Sequence, residues 1–175
     1  MSVLSWGGPT IEFAELDQDG NIPEGAAWKK MPEIKNGTAQ LNTEDGEKVE
    51  ATDEDGNVVD TRTAKSKYTL GFQIFVKKGD KRPIEDEDGV IVSNYAVRLT
   101  PKDPKTEGFK MDKTSVSVNE TWSAADGKLL KYSFAGLKPK EGKICKPYVA
   151  QSEAESEKPA NPEQGGGELG GEDEE

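Results

Sequence analysis

Apolar and polar residues alternate with a period of two along much of this chain. Tyr68, Leu70, Phe72, Ile74 and Val76 fall on one face, and Thr69, Gly71, Gln73 and Phe75 on the other. Successive side chains of a strand point to opposite faces, so the segment predicts a strand buried on one side. Tyr95, Val97 and Leu99 alternate with Ala96, Arg98 and Thr100 in the same way. So do Val116 and Val118 with Ser115, Ser117 and Asn119, and Leu130, Tyr132 and Phe134 with Lys131, Ser133 and Ala135. Ile11 and Phe13 predict a shorter strand near the start. A last strand is expected over Ile144–Val149, where Pro147 has no N–H to donate and confines it to an edge.

Turn chemistry separates these segments. Asp45-Gly46, Asp55-Gly56, Asp88-Gly89 and Asp126-Gly127 stand between strand candidates. Gly accepts positive φ at little cost and Asp bonds nearby backbone, so each pair predicts a hairpin closure. Helical signal is confined to Glu24–Met31, a turn or two after Pro23, and to a loop or short helix over Pro104–Lys113. The pattern predicts an all-β (β-dominated) fold: a β-sandwich or partly open barrel of about seven to ten short strands with at most one short helix.

Charge divides the chain. Its 175 residues carry a formal net charge of −11, and residues 151–175 account for −8 of it, with nine acidic residues against one Lys. That segment is rich in Glu, Gly and Pro and has no aromatic residue. It predicts a β-domain over 1–150 followed by a disordered acidic tail over 151–175.

Composition also narrows the chemistry. With no His there is no Ser-His-Asp triad, no Cys-His pair and no His-ligated metal. The single Cys145 forms no intrachain disulfide, and it reads as a small, half-buried strand residue. No GxSxG, phosphate-binding Gly loop or dinucleotide fingerprint occurs. Acidic residues are too abundant for any carboxylate pair to mark a glycosidase. The chain reads as a non-enzyme with no cofactor. Its start has neither a basic region nor an apolar core of the kind a signal peptide needs, and no apolar run approaches bilayer length. Synthesis in the cytoplasm and no membrane contact are the expectations. An acidic surface does not grip nucleic acid, yet it suits a wall past which DNA must slide.

Three motifs carry chemistry suited to binding. Asp-x-Asp-Gly recurs at Asp17, Asp53 and Asp86, but the sixth positions are Ile22, Val58 and Ile91 where a calcium loop needs Gly. Ordinary turns are expected there, with no metal. Trp6, Trp28 and Trp122 would make a sugar-stacking platform only if they came together, and are otherwise core or interface anchors. The Lys77–Asp88 stretch runs from a basic block into an acidic one. It reads as a solvated loop or, functionally, as a charge-complementary contact between copies.

Thr43–Lys65 holds eight acidic and three basic residues around Asp55-Gly56. A hairpin of this composition buries too little to offset its ordering entropy alone, and it predicts order on a neighbouring subunit. Glu47, Glu50, Asp53, Glu54 and Asp55 are the candidate assembly residues.

Three stretches carry a resemblance. They are Ser5-Trp6-Gly7-Gly8-Pro9-Thr10-Ile11 leading to Ile22–Trp28, Pro83–Val90 through Asn94–Pro101, and Ser115–Val118 through Ala124–Gly127 to Tyr132-Ser133-Phe134. Together they resemble the major tail or tail-tube structural proteins of tailed bacteriophages and of prophages in gut bacteria, over about residues 2–149. The resemblance implies a β-sandwich or barrel subunit that closes into hexameric rings. The rings stack into a tube for DNA passage, and an extended hairpin reaches the adjacent ring. It implies a virion location after synthesis in the host cytoplasm. The expected partners are other copies, other tail proteins and DNA in non-sticking transit. On this reading the five acidic residues lie at the lumen or at the ring interface. The alternative is a β-sandwich binding module on a virion or cell surface that recognises a glycan or a protein.

Overall fold

The computed structural model describes Leu4 and residues 6–150. Ten strands follow in order: β1 (Thr10–Glu15), β2 (Lys29–Lys30), β3 (Gln40–Glu44), β4 (Lys48–Thr52), β5 (Val58–Thr63), β6 (Lys67–Phe75), β7 (Val90–Thr100), β8 (Gly108–Ser123), β9 (Gly127–Gly136) and β10 (Lys146–Tyr148). Seven form one path, β2-β1-β7-β8-β9-β6-β3, and β10 joins the same sheet beside the first residues of β8. β4 and β5 pair with each other. The fold is all-β, as the alternation predicts, and the sheet is open.

The two ends of the sheet are tied by a strap. The Met31 N–H donates to the Ile11 carbonyl at 2.8 Å, and the Lys35 N–H donates to the Gln73 carbonyl at 2.8 Å. Ile34 bridges Ile74, and Thr38 Oγ1 accepts the Gln73 N–H at 3.1 Å. The strap thus crosses from β1 to β6, curling the sheet around one core without closing a ladder. That core draws Ile11 and Phe13 from β1, Val97 from β7, Met111, Val116 and Val118 from β8, and Met31 from the strap.

β6, β9 and β8 build the core in cross-strand layers. Leu70, Phe134 and Val116 form one layer, and Phe72, Tyr132 and Val118 the next. All six are buried, and the Phe72 ring stacks on Phe134 and Tyr132 with centroids 5.8 and 6.1 Å away. Each such side chain contributes about 1.5–3 kcal/mol by leaving water. Ile84, in the loop between β6 and β7, is buried in the same core, and its carbonyl accepts the Tyr132 hydroxyl at 3.0 Å.

Three expectations change. Glu24–Met31 is not helical: Gly25 takes φ +69, and the Met31 N–H is claimed by β1. Over Pro104–Lys113 a turn held by the Asp103 carbonyl gives way to β8 at Gly108. Asp45-Gly46 closes no hairpin, because β3 pairs with β6 and β4 with β5. In the Lys77–Asp88 stretch Lys77 pairs with Glu33, and Arg82 with Asp86 at 2.5 Å and with Glu120, while Lys78 and Lys81 are exposed. The last strand is as expected, since Pro147 sits in β10, which pairs with β8. Cys145 is half-buried just before it, and burial pushes its thiol up. The acidic tail over 151–175 lies outside the described residues.

Candidate functional site

The segment between β3 and β6 forms an arm. β3 pairs with β6 from Gln40↔Gly71 to Glu44↔Lys67, and the same register resumes at Lys48↔Thr63 in β4 and β5. The arm is therefore the β3–β6 ladder carried outward past a short break. Gly46 explains the break: a Cβ there would lie 1.8 Å from the Ala64 carbonyl oxygen. Only glycine permits that approach, and it lets the Ala64 N–H reach the Glu47 carbonyl at 2.8 Å. From Glu44 to the turn at Asp53 the strand rises roughly 30 Å.

Every residue of β4 and β5 is exposed. Val49, Val58 and Val59 are 59%, 53% and 69% exposed, and a bulge between Ala51 and Thr52 leaves Val59 as the extra residue of β5. An exposed two-stranded ribbon is marginal in water and presents free edges to any neighbouring strand.

All five predicted residues come together on this arm. Glu47 stands at its base and Glu50 opposite Thr61 in β4. Asp53, Glu54 and Asp55 make the tip. Among the described residues none of Glu47, Glu50, Glu54 and Asp55 joins an ion pair. Asp53 differs, because its carboxylate is occupied by the turn. Oδ1 accepts the N–H groups of Asp55 at 3.0 Å and Asn57 at 2.8 Å, and Oδ2 accepts Asn57 Nδ2 at 3.1 Å. These bonds hold its pKa below the ordinary 3.8.

The same turn occurs at Asp17-Gln18-Asp19-Gly20-Asn21. There the Asn21 N–H donates to Asp17 Oδ1 at 2.8 Å, and the Gly20 N–H to the Asp17 carbonyl at 2.9 Å. Asp86 instead takes the Gly89 N–H and Arg82. The Asp-x-Asp-Gly motifs are thus turn-builders. Among the described residues no three carboxylates or thiols are grouped to hold a metal ion, and no helix is long and apolar enough to cross a membrane.

The three tryptophans are not brought together. Trp6 precedes Gly7, which packs on Lys102 just past the end of β7, beside the start of β8. Trp122 is near the end of β8, roughly 40 Å along that strand. Trp28 lies under the Arg98 guanidinium, 4.3 Å from the ring centroid, with Lys110 Nζ at 5.4 Å. It caps a cross-strand row, Lys30–Glu12–Arg98–Lys110–Lys146, in which Arg98 Nε donates to Glu12 at 2.8 Å. Alternation along the chain gives no sign of this row, because it is assembled from single polar positions on five strands.

No protein-family model matches the chain, and a search of curated proteins returned no relative.

Proposed function

We propose that this chain is a structural virion subunit: a tail-tube protein that assembles into stacked hexameric rings around a channel for DNA. The observation that carries the reading is the β4–β5 arm. It is a ribbon in register with the main sheet, exposed throughout, bearing three uncovered valines and a run of unpaired carboxylates. Such a ribbon gains its stability from contact with another surface. Its open edges and those of β2 and β3 fit assembly by strand edges between identical copies. The acidic arm and the overall charge of −11 suit a passage that DNA traverses without sticking.

The test is negative-stain microscopy of the purified full chain across a range of salt and concentration. Hollow rings or tubes of uniform width are expected. A protein that stays monomeric under every condition contradicts the proposal.

A further inference from the structure

The inner face of β6–β9–β8 does not end with the core. Beyond the two buried layers comes a third, in which Ile74 and Leu130 are buried but β8 contributes Glu120. That carboxylate is held by Lys128 at 2.8 Å and by Arg82, which together lower its pKa. A fourth layer follows. Trp122 opposes Lys128, and the Val76 N–H donates to the Lys128 carbonyl at 3.1 Å. All three continue the core-facing alternation, yet Val76 is 40% and Trp122 74% exposed. It is an unfinished layer: apolar side chains on the inner side of the sheet that stay partly exposed, Trp122 most of all.

The arm and this layer lie at opposite ends of β6. The arm leaves from Lys67, where β6 begins, and the layer opens just after Phe75, where it ends. The arm points away from its own layer, so a contact between them joins two copies head to tail and leaves a further arm and a further layer free. The surfaces are complementary. On the face of Thr52 the arm offers Val58 and the bulged Val59, together with an excess of carboxylates. Lys78 and Lys81, just past Val76, are exposed and without an ion pair among the described residues.

We infer that Val76 and Trp122 form the seat for the β4–β5 arm of a second copy, with Val58 and Val59 on the indole and Glu54 and Asp55 toward Lys78 and Lys81. This rests on the tube-subunit reading and supplies the surface that receives the arm. The contact is apolar at its centre and charged at its rim, the arrangement in which one buried aromatic dominates the energetics.

The test uses the full chain in two forms. Trp122→Ser should raise the concentration needed for assembly roughly tenfold or more, with the circular dichroism spectrum unchanged. In a Cys145→Ser background, Glu54→Cys combined with Lys78→Cys should give a ladder of disulfide-linked oligomers on oxidation, and neither single cysteine should. The ladder decides the matter if Trp122→Ser fails to fold. Assembly of a folded Trp122→Ser at the wild-type concentration, or a double-cysteine chain that gives no ladder, overturns the seat. The two ideas separate cleanly. If the wild-type chain stays monomeric under every condition, the tube reading fails. If the armless chain stays monomeric while Trp122→Ser assembles, only the seat is wrong.

Discussion

The Tyr132 hydroxyl donates to the Ile84 carbonyl at 3.0 Å, joining a fully buried ring of β9 to the loop between β6 and β7. Burial pushes this phenol up to about 12, well above its ordinary 10.0. Tyr132→Phe leaves the carbonyl without its partner and is expected to cost about 1–3 kcal/mol in urea denaturation.

The same phenol sets an alkaline limit. Between the unfolded value near 10 and the folded value of about 12, the unfolded chain has released the proton and the folded chain still holds it. Stability therefore falls as pH rises through that window. Tyr132→Phe should flatten the slope. A residual slope remains, because burial also raises Tyr95 and Cys145. An unchanged slope in the variant would mean that Tyr132 is not the group responsible.

Two glycines without positive φ separate the arm from the core. At Gly108 a Cβ would lie 1.9 Å from the Leu99 carbonyl oxygen, inside the β7–β8 ladder. Gly108→Ala should destabilise the whole fold by on the order of 2–4 kcal/mol. Gly46→Ala makes an equally severe clash with Ala64, but in a ribbon that adds nothing to the core. It should leave the main unfolding transition in place and abolish amide protection in β4 and β5. Hydrogen exchange with a thermal scan distinguishes the two.

The arm's tip should be acid-sensitive. The Asp53 pKa is depressed by the N–H groups it accepts, so its contribution is present above 3.8 and is lost as pH falls through the lower folded value. A carboxyl NMR titration should place the Asp53 midpoint below 3.8. Asp53→Ala should loosen the turn at every pH.

Much of this fold is legible in the sequence because burial on one face leaves a mark. Leu70, Phe72 and Ile74 in β6 and Leu130, Tyr132 and Phe134 in β9 are the inward residues that alternation predicts. β7 is less regular, because its pairing with β8 slips between Val90 and Asn94 and again between Tyr95 and Val97, and Ala96 and Val97 are both buried. β3 has no buried face and so no apolar period to read. Asp45-Gly46 has the local chemistry of a reversal, but whether a Gly turns the chain or lets two backbones approach depends on Ala64, which lies eighteen residues on. Val76 reads as core because the alternation that places it inward continues past the last residue available to cover it.

The acidic arm was recoverable as a unit of composition, and its five candidate residues do lie on one ribbon. The separate role of Asp53 was not, since Asp53, Glu54 and Asp55 look alike until the turn's N–H groups select one of them.

The most direct measurement replaces residues 45–66 with Asn-Gly, a two-residue turn that joins the paired residues Glu44 and Lys67 and leaves β3 and β6 intact. The variant and the wild type are then compared by sedimentation and negative-stain microscopy. The account predicts a folded monomer with the wild-type core transition and no rings or tubes at any concentration. Normal tubes from the armless chain would contradict it.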